Sequence, residues 1–128
     1  TSDFVTGCSL LIKREMTERV GILDKRFFLY SEDVDYSLRV KRAGYEVLFV
    51  PKSIVWHKIG RSSGGAGSKL QQYYQTRNRL LLTFTHGDLK AKFAALRLIG
   101  RWIKDGSSAE RQGVTDFILG RLGKQPIV

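Results

Sequence analysis

Cysteine, proline and long apolar runs are scarce in this 128-residue sequence, and each scarcity excludes a class of protein. Cys8 is the single cysteine, so the chain forms neither an internal disulfide nor a structural zinc site built on thiolates, and we expect a reducing compartment. No apolar run approaches the ~20 residues of a membrane-spanning helix. The first residues lack a signal peptide and look like a cut from a longer protein. With two prolines, 42% hydrophobic residues and 27% charged residues, the composition predicts a packed globular fold.

Positive charge is concentrated in the second half of the chain. Lysine and arginine total 22 against 12 aspartates and glutamates, which gives a net charge of +10. Residues 1–57 carry nine basic and eight acidic side chains, whereas residues 58–128 carry thirteen and four. This uneven surplus suits an anionic partner such as a phospholipid surface, a diphosphate or a nucleic acid, and it equally suits a set of solvated helix faces.

Hydrophobic spacing predicts short strands in the first part of the chain. Apolar runs at 4–12, 46–50 and 54–57 are typical of strands. Helical spacing occurs at 14–20 and again at 32–43. The first part is therefore predicted to mix strands and helices.

The second part is predicted to be helical. Residues 58–68 are rich in glycine and serine and indicate a loop. Helical spacing then covers 69–84, and Asp88 is placed to cap a basic amphipathic helix. A last apolar stripe lies within 110–122.

Three carboxylates, those of Glu32, Asp33 and Asp35, lie within four positions beside aromatic residues. Ser31 is placed to cap a helix that begins at Glu32, and Asp35 and Arg39 are spaced for an i,i+4 ion pair. Adjacent like charges repel, and burial against aromatic rings raises a carboxylate pKa toward the value that a general base needs near neutral pH. The alternative interpretation is an acidic first helical turn that favours the helix dipole. Spacing alone supports the two interpretations equally.

An ordered set of motifs spreads over roughly the first 80 residues. The motifs are FVTG at 4–7, GILDKRFFLYSEDVD at 21–35, LR at 38–39, AGY at 43–45, VP at 50–51, VWH at 55–57 and YYQTRNR at 73–79. Together they resemble the second half of family-two glycosyltransferases, and within that family the bacterial rhamnosyltransferase-like enzymes. The ordered set is specific, whereas any one motif alone would not be.

The resemblance implies a partial GT-A fold of the α/β class, or α+β for this piece alone. Its Rossmann-like sheet would place short strands in the first half, and the carboxy-terminal part would be helical. Residues 1–67 would form the acceptor-side half of a catalytic domain, and residues 68–128 a basic helical extension. The donor-binding half and its Asp-x-Asp metal motif lie upstream in the family, so this piece alone would be inactive. Exposed sheet edges would then favour a homo-oligomer.

The resemblance also assigns roles to individual residues. Asp33 matches the family's catalytic base, which removes the proton from an acceptor hydroxyl, and Glu32 would help to shape the acceptor site. His57 matches a histidine that in some members helps to coordinate a divalent metal, Mg or Mn, on the donor diphosphate. Without the resemblance, a single histidine at a strand end is more often structural.

Four further residues are candidate substrate-binding residues. Gly7 would allow close approach of the backbone to substrate, or would only relieve packing. Arg61 and Ser62 lie in the glycine- and serine-rich segment, which could close over the leaving diphosphate or form an ordinary surface loop. Arg77 belongs to an Arg-Asn-Arg motif, which equally suits a helix that docks on the rest of the protein.

The function implied is sugar transfer, with inversion, from a nucleoside-diphosphate sugar to a hydroxyl of a polysaccharide or lipid-linked glycan in cell wall biogenesis. A cytoplasmic enzyme, peripheral at the inner face of a bacterial plasma membrane, fits a lipid-linked acceptor and the basic helices from residue 69 onward. A different class of function is a basic module that binds an anionic membrane surface and is catalytically inactive alone. No nucleic-acid motif is present, so no nucleic-acid partner is expected.

Overall fold

The computed structural model describes residues 1–57 and 64–127, and the regular elements in these ranges are helices. None of the described helices is both long and apolar enough to cross a membrane. A short 3-10 turn at Gly7–Ser9 is followed by α1 (Arg14–Arg19), α2 (Glu32–Arg42), α3 (Lys69–His86), α4 (Leu89–Asp105) and α5 (Ser108–Ile118).

The predicted strands are wrong, because no residue in the described ranges lies in a strand. A strand needs a neighbour that pairs with its backbone N–H and C=O groups. The segment at 46–50 receives one backbone hydrogen bond from the amino-terminal residues, from the Ser2 N–H to Val47 O at 2.8 Å. Residues 7–9 of the first predicted strand form the 3-10 turn instead. The α/β sheet is therefore corrected to a helical structure, and self-association through sheet edges loses its structural basis.

The first part of the chain packs on helix α2. Tyr36 and Val40 are buried on one side of this helix and contact Val47. Residues four positions apart share a helix face, so α2 can bury this side while its acidic first turn faces the 3-10 turn. Partly buried residues complete the cluster: Val5, Ile12, Val20 and Tyr45.

Helices α3, α4 and α5 form the second part, in which α3 packs most extensively on α5. Gly113 allows this close packing, because a Cβ at that position would lie 2.9 Å from the carbonyl oxygen of Tyr73. Helix α4 packs through Ala95 on Leu80 and Val114. The proposed division after residue 67 falls just before α3 and stays a prediction.

Of the two predicted helix caps, the Asp88 cap is present and the Ser31 cap is absent. The Asp88 carboxylate accepts the N–H of Ala91 at 2.7 Å, which confirms the predicted cap of α4. Ser31, by contrast, has a φ of 70° and makes no side-chain cap hydrogen bond to α2. The Ser31 cap is therefore wrong, because a capping side chain needs the extended backbone that normally precedes a helix.

Candidate active site

Asp33 lies in the first turn of α2, against the 3-10 turn. The Gly7 N–H donates to Asp33 Oδ2 at 2.7 Å, and the Val34 N–H donates to Asp33 Oδ1 at 2.8 Å. Both carboxylate oxygens are thus held in fixed directions, and each keeps a further lone pair for another donor. Asp33 is only partly buried, so a ligand hydroxyl can reach it.

Gly7 lies beside the two acids, and these three exposed or partly buried residues are called the open site below. A Cβ built at Gly7 would lie 3.5 Å from Asp33 Oδ2 and 3.6 Å from Glu32 Oε1. The exposed Gly7 backbone binds the Asp33 carboxylate directly and lies beside that of Glu32. The structure brings together three of the predicted site residues, Gly7, Glu32 and Asp33.

Glu32 differs from Asp33 in its surroundings. Its carboxylate is partly buried, and its Oε2 atom has no hydrogen-bond partner among the described residues. Burial raises the pKa of this carboxyl, and the neighbouring charge of Asp33 adds to the rise. Because a buried polar atom without a partner costs free energy, Glu32 is the acid of the pair that gains more from a proton or a bound hydroxyl.

Replacing Glu32 with glutamine should flatten the dependence of stability on pH. The folded pKa of Glu32 lies above its ordinary value of 4.5, so its contribution to stability is present below that pH and is lost as the pH rises through the folded pKa. Relative to the parent, we expect Glu32→Gln to gain stability between about pH 4 and about pH 7. Urea unfolding at both pH values measures this, with the exposed Glu46→Gln as control. An unchanged stability difference at the two values would contradict the expectation.

The third acid of the cluster, Asp35, belongs to a different set of contacts. It is 1% exposed, accepts a hydrogen bond from Arg39 Nε at 2.8 Å and pairs with His86 Nε2 at 2.7 Å. Arg39 also donates to the carbonyl oxygens of Val20 and Ile22. The predicted Asp35–Arg39 pair is confirmed. Asp35 therefore links α2 to the end of α3 and takes no part in the open site.

His57 is exposed and lies outside the regular elements. No hydrogen bond or ion pair within the described residues joins it to Glu32 or Asp33. In the same ranges no three histidine, cysteine, aspartate or glutamate side chains group closely enough to hold a metal ion. The donor set described here does not by itself form a metal site. Arg61 and Ser62, the predicted diphosphate ligands, lie outside the described residues.

Arg77 lies inside the protein and is 0% exposed. Its guanidinium donates to the carbonyl oxygens of Arg26 and Phe27, both at 3.0 Å, and to that of Gly123 at 2.6 Å. These partners lie partly in the loop that leads into α2. This placement favours support of the site by Arg77 over direct contact with substrate.

Asn78 is a buried residue of the same helix turn that sequence reasoning missed. It is 0% exposed, and its Nδ2 donates to the carbonyl oxygens of Phe27 (2.9 Å), Leu29 (2.7 Å) and Tyr30 (2.9 Å). The signal lies in the helical spacing, which places Asn78 on the buried side of α3 with Leu81. A polar side chain in that position requires a partner, because burying it alone is costly.

A match to a known protein family identifies the family of this chain. The family described as "Glycosyltransferase like family 2" matches residues 1–82, a range that includes Gly7, both acids of the open site, Arg77 and Asn78. The chain belongs to this family. The resemblance carried by the sequence motifs is thereby confirmed, and the family-two match covers both the open site and the turn of α3 that carries Arg77 and Asn78.

Two kinds of curated relative support the family-two assignment. The N-acetylglucosaminyl-diphospho-decaprenol L-rhamnosyltransferase of Mycobacterium tuberculosis is 38% identical over 61 residues, which is 48% of this chain and 20% of that protein. Galactofuranosyltransferase GlfT2 of the same organism is 31% identical over 86 residues, which is 67% of this chain and 13% of that protein. The family-two chain thus spans about a fifth or less of the length of these relatives. No solved structure matches it.

Proposed function

We propose that this chain supplies the acceptor-side half of an inverting glycosyltransferase, with Asp33 as the general base. The observation that carries the proposal is the hydrogen bond from the Gly7 N–H to Asp33 Oδ2, at 2.7 Å. A general base must be held in a fixed direction and must be reachable by the hydroxyl that it deprotonates. Asp33 meets both conditions, and the family-two match supports the choice.

In the proposed step, the oxygen of an acceptor hydroxyl attacks the anomeric carbon of a nucleoside-diphosphate sugar. The new carbon–oxygen bond forms as the bond to the diphosphate oxygen breaks, and that electron pair leaves with the nucleoside diphosphate. The hydroxyl proton passes to the Asp33 carboxylate. Attack and departure on opposite faces invert the anomeric configuration. The unpaired Oε2 of Glu32 can accept a hydrogen bond from a second acceptor hydroxyl.

In this proposal the donor is bound by a donor-side half, which corresponds to a part of the relatives that this chain does not match. His57 would supply one ligand to a divalent cation, Mg or Mn, and the donor-side half and the diphosphate would supply the others. Arg61 and Ser62 stay predicted contacts of the leaving diphosphate. The acceptor would be a hydroxyl of a polysaccharide or lipid-linked glycan, in line with the decaprenol named for the rhamnosyltransferase relative.

A transfer assay on a longer form that carries the donor-side half tests this function. We expect the longer form to transfer sugar from a uridine or thymidine diphosphate sugar and the 128-residue chain alone to transfer none. Nuclear magnetic resonance of the product should show inverted anomeric configuration. Retained configuration, or transfer by the 128-residue chain alone, would contradict the proposal.

A second function, contact with an anionic membrane, is favoured by one side of helix α4. Leu89, Phe93, Leu96 and Ile103 follow one another at intervals of four, three and seven residues, so they form a single apolar row. Each is more than half exposed. Ala95, Ile99 and Trp102, on another side of α4, pack on the rest of the second part. The apolar row is therefore available to a partner.

Basic side chains accompany the apolar row along its whole length. Lys90, Arg97 and Lys104 are exposed, seven residues apart, and each directly follows one member of the row. Such a helix lies in the membrane plane, with its apolar side among the acyl chains and its cations at the headgroups. An anionic leaflet contributes about 1 kcal/mol for each lysine or arginine near its surface. We propose that α4 holds the enzyme peripherally at the inner face of a bacterial plasma membrane.

Reversing the basic row of α4 should abolish most vesicle binding. We expect the triple variant K90E/R97E/K104E to bind phosphatidylglycerol vesicles at least on the order of 100-fold more weakly than the parent, because three favourable charges are lost. Cosedimentation with phosphatidylglycerol and with phosphatidylcholine vesicles measures the difference.

The control for this prediction carries the same change of net charge elsewhere on the surface. It replaces exposed lysines of the first part of the chain, in the variant K13E/K25E/K52E. We expect this control to lose much less affinity than the α4 variant. Equal losses in the two variants would show that net charge alone, and not the α4 row, determines binding.

A further inference from the structure

The loop that precedes α2 follows an unusual backbone path. Phe28, Tyr30 and Ser31 have φ values of 61°, 66° and 70°, although none of them is glycine. The left-handed region is unfavourable for residues that carry a Cβ, so such conformations persist only where surrounding contacts impose them. Residues 26–31 are called the pre-helix loop below. Its last residue directly precedes Glu32, the first residue of α2.

Two buried side chains of α3 stabilise this backbone conformation. Arg77 and Asn78 together donate to four carbonyl oxygens of the pre-helix loop. Arg77 Nε also donates to Asn78 Oδ1 at 3.0 Å, so the two side chains fix each other. The pre-helix loop is therefore hydrogen-bonded to one turn of α3 both before and after Phe28.

The buried charge of Arg77 is compensated within the same network. Arg77 Nη1 lies 3.4 Å from the Tyr73 hydroxyl, which donates to the buried Asp116 carboxylate at 2.8 Å. A guanidinium without a nearby anion would be costly to bury, and here the Asp116 carboxylate is two hydrogen bonds away, through the Tyr73 hydroxyl. Because all three guanidinium nitrogens of Arg77 have hydrogen-bond partners, the network favours a single geometry.

We propose that Arg77 and Asn78 are positioning residues for the Glu32–Asp33 pair. The carbonyl oxygens of Leu29 and Tyr30, which Asn78 binds, lie within four positions of Asp33, so a shift of the loop displaces the first turn of α2. Displacement of a catalytic group by about 1 Å can lower a rate on the order of 10²-fold. The proposal rests on the proposed role of Asp33 and adds the two residues that set its position.

The experiment compares one chemical change at a buried and at an exposed arginine of α3. Arg77→Lys keeps the charge but loses the planar fork that reaches several carbonyl oxygens at once. In a longer, active form, at a temperature where circular dichroism shows it folded, Arg77→Lys should lower kcat about 10- to 100-fold with donor KM unchanged. Arg79→Lys, the same change at an exposed position, should leave both constants unchanged. Asn78→Ser provides an independent variant if Arg77→Lys does not fold.

A second readout separates positioning from general stability. The titration of Glu32, followed by carboxyl carbon resonances, should move toward its ordinary value in Arg77→Lys and not in Arg79→Lys, because a displaced first turn exposes Glu32. A moved titration with an unchanged kcat would support positioning and overturn Asp33 as the base. An unmoved titration in folded Arg77→Lys would overturn the positioning role whatever the rate.

Discussion

Asp33→Asn in a longer, active form of the enzyme should lower kcat by about 10²- to 10⁴-fold, the range that general-base catalysis contributes. Asparagine has the shape of aspartate, and its amide oxygen can still accept the Gly7 N–H. Its NH2 group cannot accept the Val34 N–H, and because only this local hydrogen bond is lost, the fold should persist. The amide cannot take a proton from the acceptor hydroxyl. Steady-state transfer rates measure the loss, and calorimetric titration with a nucleoside diphosphate should give the parent's affinity.

The matched control for this prediction is Glu15→Gln, which removes an exposed carboxylate from α1. We expect it to keep the parent's kcat and donor affinity. Loss of nucleotide binding together with kcat in Asp33→Asn would place Asp33 at the donor instead of the acceptor. Full transfer by Asp33→Asn would remove the base assignment and leave membrane binding by α4 as the better account of the chain.

Asn78→Leu should destabilise the 128-residue chain by about 3–5 kcal/mol, because a buried acceptor left without its donor costs about 1–3 kcal/mol. The leucine would leave the carbonyl oxygens of Leu29 and Tyr30 without the Asn78 amide, and it would leave Arg77 Nε without its acceptor. Such a loss is large against the 5–15 kcal/mol that stabilises a typical domain. Urea unfolding followed by circular dichroism measures it.

Gln75→Leu is the control for this stability prediction. Gln75 is an exposed amide on the same helix, and replacing it should change the free energy of unfolding by no more than about 0.5 kcal/mol. If Asn78→Leu were as stable as Gln75→Leu, the hydrogen bonds from Asn78 to the pre-helix loop would contribute nothing net to the fold.

The helices could be predicted from the sequence, whereas the predicted strands are wrong for the described residues. Helices α3 and α4 satisfy their backbone hydrogen bonds internally, so apolar spacing and the Asp88 cap sufficed to place them. Strands depend on a partner that local spacing does not reveal. In the segments predicted as strands, Phe49 is 70% exposed and Trp56 is 93% exposed. Their apolar character indicated burial, and the described residues provide no surface that buries them.

In the candidate site, too, features of neighbouring residues could be predicted, whereas contacts between residues distant in the sequence could not. Glu32 and Asp33 stood out because like charges are adjacent, but the hydrogen bond from the Gly7 N–H to Asp33 joins positions 26 residues apart, and sequence spacing did not predict it. Asp35 took a structural role because residues two positions apart on a helix do not share a face. Helical spacing marks Asn78 as buried, but its partners are main-chain carbonyl oxygens far away in the sequence, and spacing does not identify them.

A crystal structure of a longer form with acceptor and a non-transferable donor analogue bound is the most direct test of the central claim that Asp33 is the base. The account predicts the reacting acceptor hydroxyl within about 2.6–3.2 Å of an Asp33 carboxylate oxygen. A reacting hydroxyl bound to a different side chain, with Asp33 contacting only the Gly7 and Val34 N–H groups, would contradict it.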